Sequence, residues 1–268
     1  MSAAAPYADV EPDEIRDRLA AVAAEEDARV LLAVESGSRA WGFASPDSDW
    51  DTRFVYTRPL RAYLSLDPPR DVVERPLDAR GIDLAGWDVR KALVLLLASN
   101  PTLLEWLHSP IAYVDDGRFR PAALDLFARF ASRRALAHHY RSIARTHWSR
   151  SLATGEEVRL RRYFYVVRSV AALAWVAAGR DLPPMNLFEL LDGSDLPADV
   201  RRDLDDLLAL KTSLPEFGDG PRRPALDRYI LDVVERVDPA AIDDRAELRP
   251  AFRAEADTLF RTLIGFED

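Results

Sequence analysis

Cysteine is absent from the 268 residues, which excludes disulfide scaffolds, thiolate metal sites, thiol nucleophiles and cysteine-ligated iron–sulfur clusters. Lysine occurs only at Lys91 and Lys211, so nearly all the basic charge is arginine. Four histidines, His108, His138, His139 and His147, leave little for histidine-based zinc chemistry. Long hydrophobic runs are missing as well. The longest, around Leu93–Ala98, falls far short of the roughly 20 residues a membrane helix needs. Met1-Ser-Ala-Ala-Ala-Pro6 has neither a basic n-region nor an apolar h-region, which argues against a secretory signal and for a cytoplasmic protein with no membrane partner. None of HExxH, GxSxG, GxxxxGK(S/T) or a post-strand GxGxxG occurs. Zincins, α/β-hydrolases, P-loop enzymes and Rossmann dehydrogenases therefore lose ground.

What the chain has is carboxylate, 45 Asp and Glu against 36 Lys and Arg, for a net charge of −9. That balance argues against a general nucleic-acid coat protein. At 48% hydrophobic and 30% charged residues the composition is that of a globular protein of one or two domains. Pro12 with Ile15, Leu19, Val22 and Ala23 predicts a helix over 12–26. Val30–Glu35 reads as a buried strand and Asp49–Tyr56, alternating polar and apolar, as a second. Further strands are expected over 71–75, 81–85 and 111–114. Asp88 and Asn100-Pro101 each have the chemistry of a helix start. From Pro121 onward the pattern is helical, over about 121–151, 158–178, 186–192, 197–212, 225–237 and 247–264, with Gly179 as a stop and 215–224 as loop. The expectation is an α+β fold with a mixed sheet in residues 1–117 and an all-helical domain in residues 118–268.

One constellation carries chemistry. The first strand ends at Gly37-Ser38, and eleven residues later Asp49-Trp50-Asp51 enters the second. Alternation along a strand puts Asp49 and Asp51 on one face, about 6.6 Å apart, with Trp50, Thr52 and Phe54 on the other. Two such carboxylates suit hard cations, Mg2+ above all. A pair of ions about 3.5–4 Å apart stabilises the attacking and leaving oxygens of an in-line phosphoryl displacement. Asp83, on a later strand, is the candidate third carboxylate, with Asp88 as the alternative. Gly37 permits close backbone approach to a phosphate, and the Ser38 hydroxyl and the N–H groups after it can donate to phosphate oxygens. Gly-Ser alone is ordinary turn chemistry, and Asp-x-Asp arises by chance in so acidic a chain. The ordered combination is much rarer.

This pattern resembles the signature of the DNA polymerase β nucleotidyltransferase superfamily. The longer stretch Val34-Glu-Ser-Gly-Ser-Arg-Ala-Trp-Gly-Phe-Ala-Ser-Pro-Asp-Ser-Asp-Trp-Asp-Thr-Arg-Phe-Val-Tyr56 is similar to nucleotidyltransferases of the YcgL type, which include RNA-repair-associated polymerase-β-like proteins. Gly86–Leu93, Asn100-Pro101 with Glu105-Trp106-Leu107, and Arg162–Arg168 share that resemblance, which spans most of residues 30–190. It departs at Arg161-Arg162, where a lysine is expected; the charge is kept but its geometry changes. The resemblance implies a nucleotidyltransferase palm, dependence on Mg2+ (or Mn2+), and transfer of a nucleoside monophosphate from a nucleoside triphosphate to an acceptor hydroxyl. Asp49, Asp51 and Asp83 would be the catalytic and metal-holding residues. Gly37, Ser38, Arg39, Arg161, Arg162 and Arg168 would bind nucleotide.

Residues 129–168 hold ten arginines against Glu156 and Glu157, while the chain as a whole is acidic. With Tyr163, Phe164 and Tyr165 beside them, Arg161 and Arg162 suit a triphosphate or a stacked base; the same helix also reads as core. His138-His139 diverge by about 100° on a helix and do not readily share an ion. Lys91 is a further phosphate candidate, and Trp41 and Trp106 read as core. An RNA or DNA end is the acceptor the basic segment favours. The alternatives are a protein or small-molecule acceptor, as in antitoxin-like or antibiotic-modifying relatives, and a non-catalytic nucleotide-binding module on the same fold.

Overall fold

The computed structural model describes residues 10–45, 48–213 and 218–266. The N-terminal segment, Asp47 and the start of the 215–224 loop lie outside the described residues. The chain divides into two compact units, residues up to Ala131 together with those from Arg245 onward, and Ser132–Asp244. The division falls at 131/132 and not at 117/118, and the last helix belongs to the first unit.

In the first unit, α1 (Pro12–Glu25) buries Ile15, Leu19 and Val22, one apolar stripe. β1 (Arg29–Ser36) follows, then the single turn α2 (Gly37–Ala40), β2 (Trp50–Thr57), the turn α3 (Leu60–Tyr63), β3 (Val72–Arg75), β4 (Ile82–Asp88), α4 (Val89–Leu97), α5 (Pro101–Leu107), β5 (Ala112–Asp115) and α6 (Phe119–Phe130). The sheet order is β3-β4-β2-β1-β5. β1 pairs antiparallel with both β2 and β5, and β3 antiparallel with β4. Because β3 reverses the chain between them, β4 runs parallel to β2, and the sheet is mixed. Its register sets Asp51 opposite Asp83 and Phe54 opposite Gly86. A Cβ on Gly86 would lie 2.2 Å from the buried Phe54 ring, so any side chain there would have to displace that ring. Ala33, Phe54, Tyr56, Ile82, Leu84 and Tyr113 pack against the stripe of α1. By alternation Asp51, Arg53, Val55 and Asp83 point to the other face, where α4, α5 and α6 pack.

Asp88 accepts from the Arg90 amide, and Asn100 from the amides of Thr102 and Leu103, so both expected helix starts are capped. Trp106 is buried and stacks on Trp87 at 3.9 Å, whereas Trp41 is only half-buried.

The second unit contains α7 (Arg133–Ser151), β6 (Glu157–Arg159), α8 (Arg161–Ala177), α9 (Leu187–Asp192), α10 (Ala198–Ser213), β7 (Asp219–Pro221) and α11 (Pro224–Arg236). The 121–151 helix expected from periodicity is two helices, broken where Ser132 accepts from the Ala135 amide and caps α7. Nor is this region wholly helical: β6 and β7 form a small antiparallel ribbon. The chain then returns to the first unit as α12 (Arg249–Ile264), which packs on α4 and α6. Among the described residues no helix is long and apolar enough to cross a membrane.

Candidate active site

β1 delivers Gly37 to the start of α2 with φ +71°, a backbone that a side chain would strain. A Cβ built there would sit 2.3 Å from Asp51 Oδ2. The glycine therefore lets the chain turn directly against the Asp51 carboxylate. Hydroxyls tie α2 to the loop that follows it: Ser38 Oγ donates to Ser48 Oγ at 3.1 Å, and Ser48 Oγ accepts from the Ser45 amide. Arg39 clamps the same loop from above. Its guanidinium lies 3.8 Å over the Trp50 ring and donates to the carbonyls of Ser48 at 2.6 Å and Asp49 at 3.1 Å. Part of Arg39 thus positions Asp49. Burial weakens its hold on its proton, opposed by the charges of Glu35, Tyr113, Asp49 and Asp51.

The carboxylates converge from two strands. Asp49 is exposed just before β2, Asp51 is its second residue, and Asp83 is the second residue of β4. The Asp51 carboxyl is pushed above its ordinary range by burial; Arg53 pulls it down, and the charges of Asp49 and Asp83 push it up. Arg53 lies between the two strands. Its Nη2 donates to Asp51 Oδ1 at 3.0 Å and to Asp83 Oδ2 at 2.8 Å, and its Nη1 donates to the Thr52 carbonyl at 3.0 Å. Beneath them Glu35 is fully buried. One of its oxygens accepts from the Asp51 amide at 2.9 Å and the other from the Tyr113 hydroxyl at 2.6 Å. Burial raises its carboxyl to about 7 against the pull of those two donors.

Arg53, Glu35 and Tyr113 were not among the residues the motif selects. Their signals were present all the same: Arg53 lies two residues beyond Asp51 on the same strand face, and Glu35 is a lone acid ending an apolar strand.

Asp88 stands elsewhere. It pairs with Tyr56 in the β2–β4 register, five residues and roughly 16 Å along the strand from Asp83. Its carboxyl is buried, caps α4 and accepts from the Tyr63 hydroxyl at 2.9 Å. Lys91 pairs with Asp71 at 3.3 Å, on that same end of the sheet.

The donor set fits a hard cation. Three carboxylates and a hydroxyl are oxygen ligands of the right kind, and the repulsion Asp51 feels from Asp49 and Asp83 is what a cation relieves. As they stand they do not enclose one. Among the described residues no three acidic or histidine side chains are close enough to hold an ion together, and Arg53 occupies the position between two of them.

In the second unit the expected nucleotide-binding arginines separate. Arg161 is exposed and Arg162 half-buried. Arg168 is buried and donates to the Met185 carbonyl at 3.2 Å. Tyr163 and Phe164 belong to the core, while Tyr165 is half-buried, 6.1 Å from the His147 ring and 6.0 Å from the Arg162 guanidinium. His147 is held below its usual range by burial and by the charges of Arg162 and Arg150. Several of the ten arginines serve structure: Arg134 and Arg141 donate to the carbonyls of Ile242 and Val234, and Arg133 to that of Arg180. Arg129, in the first unit, pairs with Asp125 and Glu255.

The profile of a protein family described as RlaP, RNA repair pathway DNA polymerase beta family, matches residues 12–262. The chain is 34% identical over 233 residues to the protein YcgL of Bacillus subtilis (strain 168), covering 87% of this chain and 89% of that one. A crystal structure of a nucleotidyltransferase-like protein from Exiguobacterium sibiricum 255-15 is 11% identical, covers 96% of this chain and 80% of that one, and superposes with a TM-score of 0.32. By the span of the profile and the identity to YcgL, this chain belongs to the RNA repair pathway DNA polymerase beta family.

Proposed function

We propose that the protein is a metal-dependent nucleotidyltransferase that moves a nucleoside monophosphate from a nucleoside triphosphate to the hydroxyl of an RNA or DNA end. The observation that carries this reading is the seating of Gly37 against Asp51, with Asp83 in register beside it. A triphosphate lying along the Gly37-Ser38 turn would have its phosphorus atoms over the carboxylates. The first N–H groups of α2, which a helix start does not use internally, are donors available to its oxygens.

Asp49, Asp51 and Asp83 are the residues that would hold Mg2+ or Mn2+. The bound cation supplies charge neutralisation for the phosphates and for the oxygen that attacks. Ser38 and Ser48 fix the turn, Arg39 fixes the Asp49 backbone, and Glu35 fixes the Asp51 amide. In the transfer, the acceptor hydroxyl would lose its proton to solvent and its oxygen bond to the α-phosphorus as the bond from that phosphorus to the bridging oxygen breaks, and pyrophosphate leaves. Positioning and charge account for such chemistry, since the protein forms no covalent bond. In the second unit, Arg150, Arg162, His147 and Tyr165 form a cationic and aromatic patch suited to phosphate and base.

The test is incubation with α-labelled nucleoside triphosphates and Mg2+ over a panel of RNA ends, DNA ends, small hydroxyl compounds and protein. Label is expected on a nucleic-acid end. Transfer should fall at least about a hundredfold in Asp49→Asn and in Asp51→Asn, as when charge-stabilising groups are removed from a transition state. Gly37→Val should weaken nucleotide binding. Label on protein or a small compound only overturns the nucleic-acid acceptor. Near-normal transfer by both Asn variants overturns the carboxylate assignment.

A further inference from the structure

Arg53 differs from the other cations of the first unit in what it bridges. It joins two carboxylates from two strands, its Nη2 being 3.0 Å from Asp51 Oδ1 and 2.8 Å from Asp83 Oδ2. The guanidinium is anchored further by the carbonyls of Thr52 and Asp83, at 3.0 and 3.3 Å. Only 20% of the side chain is exposed. Bonds from a guanidinium to carboxylates are about twice as strong as neutral ones, and more so where water is partly excluded.

We propose that Arg53 is a built-in counter-cation, and that it competes with a divalent cation for Asp51 and Asp83. This rests on the reading of Asp49, Asp51 and Asp83 as a cation site.

Two consequences follow from geometry and charge. First, Arg53 lets the parallel pair β2–β4 set Asp51 and Asp83 side by side with no metal bound, where two like charges at matched register positions would otherwise push the strands apart. Second, the Asp51 and Asp83 oxygens that Arg53 holds are withdrawn from any ion until the guanidinium moves. The apparent affinity for the ion is then the intrinsic one reduced by the fraction of molecules in which Arg53 has let go. Among the described residues no guanidinium bridges Asp49 in this way, so a cation would reach Asp49 before the oxygens of Asp51 and Asp83 that Arg53 holds. A triphosphate, by bringing its own negative charge, would draw Arg53 away from the carboxylates. Arg53 is thus a positioning residue whose release accompanies loading of the site.

The experiment is Mn2+ binding to the full chain by titration calorimetry, with thermal melts in EDTA and in Mn2+, for wild type, Arg53→Met, Arg53→Lys and Asp51→Asn. Methionine keeps the bulk and removes the charge; lysine keeps a charge that cannot fork to two carboxylates. Arg53→Met should bind Mn2+ at least about fivefold more tightly than wild type. It should melt lower than wild type in EDTA and recover that loss in Mn2+. Arg53→Lys should fall between the two, and it decides the matter if Arg53→Met does not fold. Asp51→Asn should abolish binding in any background. If wild type binds Mn2+ through Asp51 and neither Arg53 variant binds it more tightly, the counter-cation is overturned while the cation site stands. If neither the wild type nor the Arg53 variants show Asp51-dependent binding, the cation site itself is wrong.

Discussion

At the scale of single residues, the motif and its surroundings were unequally legible. Gly37, Asp49, Asp51 and Asp83 stand out in sequence because their spacing joins a turn to strands, and alternation along one strand puts Asp49 and Asp51 on one face; that Asp83 lies beside Asp51 is set by the β2–β4 register. Arg53 obeys the same alternation but resembles any surface arginine until the β2–β4 register sets it between two carboxylates. Glu35 is hidden for a different reason. Its role depends on Tyr113, which lies 78 residues away in the sequence. The Glu35–Tyr113 pair has a consequence for stability. A carboxyl raised to about 7 in the folded chain binds its proton more tightly there than in the unfolded chain, where the ordinary value is about 4.3. Between those two values the native state holds the extra proton. Its contribution is therefore fully present at low pH and is lost as pH rises towards 7, by a few kcal/mol at most. Glu35→Gln keeps an acceptor for the Asp51 amide and cannot ionise. Urea melts in EDTA should show Glu35→Gln gaining stability relative to wild type on going from pH 5 to pH 8. Parallel pH profiles for the two proteins would rule out an ionising Glu35.

At the scale of elements, start signals were the most readable part of the chain. Asp88, Asn100 and the prolines at 12 and 101 cap or open helices where their chemistry says they should, because a cap is a contact within four residues. The break between α6 and α7 was less visible. Phe130-Ala131-Ser132 interrupts no apolar period, and only the Ser132 hydroxyl marks the new start. The β6–β7 ribbon was invisible for want of length: three residues a side, ending in Gly220-Pro221, carry no alternation to read. The two carboxylates of β4 illustrate how position within an element assigns a role. Asp83 enters the strand beside Asp51, whereas Asp88 leaves it as the cap of α4 and the acceptor for Tyr63. Asp88→Ala should cost about 1–3 kcal/mol, the loss of a cap together with a buried hydroxyl's partner. Its folded fraction should transfer label normally. Asp83→Asn should do the reverse, with little change in the urea midpoint and a large loss of transfer. The comparison of urea midpoint and turnover in the two variants separates the roles. An Asp88→Ala protein that is stable but inactive would exchange them.

At the scale of the whole molecule, the discontinuity of the first unit is the feature least accessible to sequence, because it depends on contacts between segments more than a hundred residues apart. Helix α12 had a readable apolar period, but nothing local says which unit it covers. The structure answers with side chains. Phe252, Ala256 and Leu263 are buried, and Phe252 stacks on Phe130 at 5.2 Å. Phe260 meets Tyr63 edge-on at 5.4 Å, and Glu255 pairs with Arg129. Burial of the Phe252 and Leu263 side chains alone stabilises by roughly 3–6 kcal/mol in gross terms, which is comparable with the whole net stability of many domains. The exposed Glu255–Arg129 pair adds little. A chain ended after residue 244 keeps every carboxylate of the candidate site and every residue of the second unit, yet it uncovers the faces of α4 and α6 that α12 occupies. Its first unit should therefore open while its second stays closed. Hydrogen exchange would resolve the two: amides of β1 and β2 should lose protection relative to the full chain, by the several kcal/mol just given, while amides of α7 and α8 keep theirs. Unchanged protection in β1 and β2 would mean that α12 is an accessory to the palm; uniform loss across both units would mean that the two fold as one.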